Sequence, residues 1–233
     1  MSVNLEKKGR WLREMLEFMT MNKSTNQMAQ WDSDFGKEYT DRNAHSLTEL
    51  DEMYRTNFGI TKTQMNEQFV GDLDRSTKIL EVGANVGNQL QGLQKMGFDN
   101  LYGIELQSYA VELSKKRTNN INLITGSAFD IPFKNDFFDL VFTAGVLIHI
   151  SPNDIKNALL EIHRCSKKYI WGFEYFAESY TEVNYRGNDN LLWKTDFSKL
   201  YLDTFSNLEL VKEERFKYKE NDNVDSMFLL KRK

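Results

Sequence analysis

From about residue 77 onward, short apolar runs alternate with amphipathic segments, and this rhythm narrows the possible folds more than any other feature of the chain. Residues 78–82 read as a buried strand. Residues 88–97 follow as a helix with Leu90, Leu93 and Met96 on one face, since positions three and four apart stack on a helix. Residues 101–104 form a second strand, 108–117 a helix carrying Ala110, Val111 and Leu113, 121–125 a third strand and 139–142 a fourth. Ser151 and Pro152 are expected to open the next helix, serine as its cap and proline as its first residue, with Asp154 in the first turn. That helix carries Ala158, Leu159 and Ile162 towards Ser166, and residues 169–173 make a fifth strand. Such alternation predicts an α/β fold, a mostly parallel sheet with helices on both faces. The end of the chain breaks the pattern. Residues 208–218 and 224–231 are strand-like and joined by the polar turn 220–223, a β-hairpin that makes the last strand antiparallel.

The 233 residues suit one elaborated domain better than two. Residues 1–70 are helical in character and rich in Met and aromatics, so they are expected to form a cap or extension on a core domain of residues 71–233. No internal repeat is visible. Apolar residues make up 40% and charged residues 27%, the balance of a soluble globule. No apolar run reaches the ~18 residues that span a bilayer, and the polar start lacks a signal-peptide core. Cys165, the single cysteine, has no intrachain partner, and no Cys/His set has zinc spacing, so no metal is expected. A cytoplasmic location is the expectation. The net charge is −4. The short basic clusters at residues 115–117, 167–168 and 231–233 read as solvated element ends, so neither nucleic acid nor membrane is an expected partner.

The chemistry concentrates at strand ends. Glu81-Val82-Gly83-Ala84-Asn85-Val86-Gly87-Asn88 lies directly between a strand and a helix. Glycines there permit a sharp turn and close approach of a ligand. A dinucleotide fingerprint requires G-x-G-x-x-G, and the spacing here is G-x-x-x-G, which argues against a nicotinamide-dependent oxidoreductase. Glu105, followed by Leu106, ends the second strand, where a carboxylate can accept two hydrogen bonds from a ribose diol; an ordinary exposed strand-end acid is the alternative. Ser127, Ala128 and Phe129 follow the third strand, where an aromatic ring can pack on a purine. Ala144 and Gly145 follow the fourth, ahead of Ile148-His149-Ile150. Open α/β sheets bind ligands at these carboxyl ends of their strands.

In this order and context, the four segments resemble the successive motifs of class I S-adenosylmethionine-dependent methyltransferases over about residues 77–175. The resemblance implies a Rossmann-like fold with a seven-stranded sheet, and S-adenosylmethionine as cofactor. Two positions depart from the pattern: Asn85 stands where the middle glycine is usual, and Ser127 where an acid often binds the adenine amino group. A narrower resemblance, carried by residues 31–43 and 184–194, is to the pseudaminic acid biosynthesis-associated methylases. It implies a small-molecule acceptor, a sialic-acid-like sugar or nucleotide sugar.

The methyltransferase resemblance assigns Glu105 to the ribose. Gly83 and Gly87 pass the methionine part over the turn, the helix start favours its carboxylate, and Glu81, Ala84, Asn85 and Asn88 are also expected at the cofactor. Tyr39 and Arg42 from the cap could close over that carboxylate, with surface packing as the alternative. His149 is the first choice for a base acting on a hydroxyl acceptor, with plain packing as the alternative; Glu174 and Tyr175 rank second. Tyr185, Arg186, Asn190 and Trp193, in an insert at about residues 176–195, could recognise a sugar or anion, or form only a solvent-facing loop. His45 and His163 read as structural or exposed. Met15, Met19, Met21 and Met28 read as packing residues. Besides an enzyme acting on a small metabolite, a non-catalytic partner subunit that keeps the cofactor fits the same motifs. The oligomeric state is open.

Overall fold

The computed structural model describes residues 25–233. Met15, Met19 and Met21, and the first part of the expected cap, lie outside the described residues. The chain proceeds through α1 (Asn26–Trp31), α2 (Asp34–Asn43), α3 (Leu47–Phe58) and α4 (Lys62–Val70) before the sheet begins. Local chemistry fixes α3 and α4. Ser46 and Glu49 form a reciprocal capping box on α3, which ends at Gly59 in the left-handed region, and Thr61 and Gln64 form the same box on α4. Each box satisfies N–H groups that a helix start otherwise leaves unpaired.

The core then alternates: β1 (Ile79–Val82), α5 (Asn88–Lys95), β2 (Leu101–Glu105), α6 (Ser108–Arg117), β3 (Asn122–Thr125), β4 (Phe138–Ala144), α7 (Ile155–Cys165) and β5 (Ser166–Tyr175). A small hairpin of β6 (Thr181–Glu182) and β7 (Trp193–Lys194) precedes α8 (Phe197–Thr204), β8 (Leu208–Lys217) and β9 (Val224–Arg232). The seven-stranded sheet runs β3-β2-β1-β4-β5-β9-β8. The strands β1 to β5 are parallel, and β9 lies antiparallel between β5 and β8. This is the expected Rossmann-like architecture, with the last strand inserted one place in from the sheet edge.

Successive strand residues point to opposite faces, and the core divides accordingly. Ile79, Leu140 and Leu229 pack with Leu50, Met65, Leu90 and Leu93 on the face of α3, α4 and α5. Their neighbours Leu80, Val141, Phe228 and Leu230 pack with Ile155, Leu159 and Tyr201 on the face of α7 and α8. No helix among the described residues is long and apolar enough to cross a membrane.

Two sequence expectations shift. The helix expected at Ser151 starts at Ile155 instead. Ser151 and Pro152 open a turn, in which the Ser151 carbonyl accepts from the Asp154 and Ile155 amides at 2.9 Å each. The fifth strand starts at Ser166, three residues early, because Lys167 and Lys168 are exposed at the sheet end and their polarity hid the strand.

Where β5 meets β9, Gly172 faces Phe228. A Cβ at residue 172 would lie 2.2 Å from a Phe228 ring carbon. Gly172→Ala is therefore expected to lower unfolding stability by about 1–3 kcal/mol in urea melts, as overpacked cores do. A neutral result would show that the Phe228 ring moves aside freely.

Candidate active site

One cavity of ≈ 500 Å³ runs along the carboxyl ends of the parallel strands and the start of β9. The sheet supplies Glu81 and Gly83, Glu105 and Leu106, Ser127, Ala144 and Gly145, Glu174 and Tyr175, and Asp225, taken in order β1, β2, β3, β4, β5 and β9. Helices α1 to α3 cover it with residues such as Met28, Trp31, Tyr39, Thr40 and Tyr54.

The bend after β1 is held to β2 by charge-assisted bonds. Glu105 Oε2 accepts the Asn85 amide and Oε1 accepts the Gln107 amide, both at 2.8 Å. Burial pushes the Glu105 carboxyl up, and these backbone donors pull it back in part. Each oxygen keeps lone-pair capacity for a further donor. Gly83 has φ +77°, and a Cβ there would sit 2.5 Å from Val146 Cγ2, so only glycine fits the turn. Asn85 has φ 47°. Asparagine tolerates this left-handed region better than other non-glycine residues, which explains how it replaces the usual middle glycine.

The same asparagine anchors the cap. Asn85 Nδ2 donates to Thr40 Oγ1 at 3.2 Å, and Asn88 Nδ2 to the Asn43 carbonyl at 2.9 Å. Gln107 Nε2 donates to the Trp31 and Ser33 carbonyls. Gly87 caps α5 without a side-chain bond. Asn85 Oδ1, Asn88 Oδ1, Gln89 Oε1 and Glu81 Oε2 are buried acceptors without hydrogen-bond partners among the described residues. Burial pushes the Glu81 carboxyl well above the carboxylate range. This end therefore offers an open helix start and a ring of acceptors, a set that fits the carboxylate and ammonium of S-adenosylmethionine, while Glu105 fits its ribose diol.

At the third strand, Ser127 Oγ accepts the Phe129 amide at 3.1 Å and contacts Met28 Sδ at 3.9 Å, so Met28, Ala128 and Phe129 surround the place expected for a purine. His149 packs against the rings of Trp31 and Tyr185, at 4.5 and 5.2 Å. Its Nδ1 is 2.7 Å from the Leu191 carbonyl, which only accepts, so Nδ1 carries the proton and Nε2 the lone pair. Burial pushes its pKa down to about 4, so the ring is neutral at physiological pH.

Glu174 is 1% exposed. Its oxygens accept the Val146 and Ile148 amides at 3.2 and 3.4 Å, holding the loop that carries His149. Burial, partly offset by Thr143 and these amides, pushes its pKa up to about 7. Tyr175 and Tyr39 also line the cavity, with their phenols pushed up first by burial.

Five expected site residues do not line the cavity: Arg42, Gly87, Arg186, Asn190 and Trp193. Arg42 is exposed and sits 3.7 Å from Glu38. Arg186 and Asn190 lie on exposed turns with φ 52° and 56°. Trp193 is packed into the core, since β7 turns its ring inward. Of that insert, Tyr185 and Leu192 reach the cavity. Gln107, Thr40, Trp31, Tyr54, Tyr218 and Asp225 were not expected there. A polar Gln two residues after the strand-end acid, and an acid just ahead of the apolar run 227–230 of β9, are the signals that could have found two of them. Of the histidines set aside, His45 lines the cavity and its carbonyl accepts from Arg117. His163 stacks on Phe205 at 4.1 Å, on the other face.

Residues 80–169 match a protein-family profile described as a methyltransferase domain. The sequence has no match among curated proteins. The fold is similar to that of a Burkholderia thailandensis 1,6-didemethyltoxoflavin-N1-methyltransferase solved with S-adenosylhomocysteine, at TM-score 0.66 and 15% identity over 88% of each chain. It is similar to a SAM-dependent methyltransferase from Methanosarcina mazei, at TM-score 0.57 and 15% identity over 70% of this chain and 95% of that one. It is also similar to the 4+2 cyclase SpnF, at TM-score 0.55 and 14% identity over 73% and 79%. At these identities the likeness is one of fold, and the fold serves more than one chemistry.

A group raised in the folded state stabilises fully below its unfolded value and loses that contribution as pH rises through the folded one. For Glu174 the window runs from 4.5 to about 7. Across it, the melting temperature of the parent protein is expected to fall relative to that of Glu174→Gln. Curves that stay parallel would show that Glu174 ionises in the fold as readily as in the unfolded chain.

Proposed function

We propose that this chain, which carries a methyltransferase domain over residues 80–169 and takes S-adenosylmethionine as its cofactor, transfers the methyl group to a small-molecule acceptor inside the cavity. The observation that carries this reading is the joint between Glu105 and the Asn85 bend, with free acceptor capacity facing the same cavity. When bound, S-adenosylmethionine supplies a methyl carbon already activated by its sulfonium.

What the protein contributes is alignment and exclusion of water, which together can lower a barrier by roughly 7–11 kcal/mol. Glu105 holds the ribose. The amide oxygens of Asn85, Asn88 and Gln89 accept the three N–H bonds of the ammonium, with Glu81 beside them, and the amides opening α5 face the carboxylate. Met28, Ala128 and Phe129 pack on the purine. Trp31 and Tyr39 close the cavity from the cap. His149 Nε2 accepts a hydrogen bond from ligand, and its depressed pKa makes it a positioning acceptor more than a strong base. Glu174 acts through the Val146–Ile148 loop that it holds.

The finer reading of the acceptor, a sialic-acid-like sugar or its nucleotide form, rests on the resemblance at residues 31–43 and 184–194. The described residues of the lining include no lysine or arginine, so a diphosphate on such a substrate would lie outside the cavity.

The reading is tested by incubating the protein with isotopically labelled methyl donor and sugar-nucleotide extracts, then seeking labelled product by mass spectrometry. Donor binding without any labelled product would favour a cofactor-holding partner subunit. Glu105→Ala is expected to weaken donor binding at least tenfold, since charge-assisted bonds contribute about 1.5–3 kcal/mol each. Unchanged affinity would remove Glu105 from the ribose. His149→Ala is expected to lower turnover more than donor affinity, and equal losses of both would remove its role at the acceptor.

A further inference from the structure

The cavity continues beyond the donor residues to the ends of β5, β9 and β8. Five rings wall this part: Tyr54 and Phe58 from α3, Phe173 and Tyr175 from β5, and Tyr218 beyond β8. Their centroids lie close together, Tyr54 to Phe58 at 5.5 Å, Phe58 to Tyr218 at 4.4 Å and Tyr175 to Tyr218 at 6.3 Å. Asp225 lies cross-strand from Tyr175, lines the cavity and is 2% exposed. Its Oδ2 accepts from the Tyr218 hydroxyl at 3.1 Å, while Oδ1 is buried with no hydrogen-bond partner. A buried carboxylate oxygen without a donor is costly unless a ligand supplies one.

Charge narrows what that ligand can be. Among the described lining residues, Glu81, Glu105, Glu174 and Asp225 carry carboxyl groups and none is Lys or Arg. Lys62 is buried against the rings of Phe173 and Tyr54, at 3.9 and 5.1 Å, but does not line the cavity and forms no ion pair with Asp225. Lys194 is engaged with Asn223 Oδ1 and lies 5.4 Å from the Tyr175 ring. Burial raises the Asp225 carboxyl, and Lys62 and Lys194 oppose that rise through their charge, but neither lysine lines the cavity, so an anion would touch no lysine or arginine among the described residues there. A hydroxyl would satisfy one lone pair and leave unused the carboxylate charge and the Tyr218 ring, which has no cation over it among the described residues, while Lys62 and Lys194 each sit over one face of Tyr54 and Tyr175 respectively. A cation uses all three features, because aromatic faces attract positive charge.

We propose that this end is the acceptor subsite, and that the acceptor presents a cationic amine to Asp225 Oδ1 against the rings of Tyr54, Tyr175 and Tyr218. The proposal rests on the methyltransferase reading, which assigns the β1–β2 end to the donor and leaves this end for the second substrate. It names the group entering the subsite and is compatible with a sugar or any other carrier.

Three probes share one ring and differ in head group: benzylammonium, benzyl alcohol and benzoate. Each is titrated calorimetrically into the full chain, with and without saturating S-adenosylhomocysteine. Benzylammonium is expected to bind at least about tenfold more tightly than the alcohol, and benzoate more weakly than either. Asp225→Asn should remove the preference for the amine while donor affinity stays within about twofold. Should that variant not fold, Tyr54→Leu is expected to weaken the ammonium probe more than the alcohol. Equal or tighter binding of alcohol or benzoate, or a preference that survives Asp225→Asn, would overturn the subsite. Failure of S-adenosylhomocysteine to bind would fall on the methyltransferase reading instead, and the order of the three probes would still decide this one.

Discussion

The carboxylate of Glu105 is the joint on which the site depends. It takes one backbone N–H from the bend after β1 and another from the segment after β2. Two neighbouring strand tips are thereby fixed relative to each other. Because each bond goes to a charged acceptor, it is stronger than a neutral one. The bend so fixed then anchors the cap through Asn85 and Thr40, and through Asn88 and Asn43. Sheet, bend and cap form one connected set of hydrogen bonds, and the cavity is the space they enclose.

Electrostatics gives this space its character. Burial raises Glu81, Glu105, Glu174 and Asp225 and keeps His149 neutral. Burial thus favours the neutral form of each group, leaves the His149 Nε2 lone pair free to accept, and has a stability cost that must be met by packing elsewhere. Glu174 shows the compensation most directly. Its carboxyl is costly to bury, yet it accepts the amides of Val146 and Ile148 in the turn that carries His149. The sulfonium and ammonium of the donor are cationic, which matches an acceptor-rich lining.

Most of the sheet was legible because buried parallel strands are short apolar runs, and Ile79–Val82 or Leu101–Glu105 have few other readings. Ser166–Tyr175 was legible only in its apolar half, since Lys167 and Lys168 are exposed at the sheet end. Ser151 and Pro152 carried a cap signal but spend it on a turn, because the amides of Asp154 and Ile155 both return to the Ser151 carbonyl. In the site, residues next to strand ends could be located because strand order alone brings them together. Tyr54, Tyr218 and Asp225 could not, since they meet through packing of α3 on a hairpin more than 150 residues away in sequence. Trp193 and Arg186 erred in the opposite direction: residue type fitted recognition, but β7 turns one inward and an exposed turn carries the other outward.

The central claim is that an acid and a glycine bend on adjacent strand tips jointly hold an adenosine. The most direct measurement is the structure of the protein bound to S-adenosylhomocysteine. The account predicts both ribose hydroxyls within hydrogen-bond distance of the Glu105 carboxylate, and the ligand's own carboxylate at the amides opening α5. A ligand seated elsewhere, or a Glu105 side chain turned from the ribose while the Asn85 bend stays in place, would contradict it.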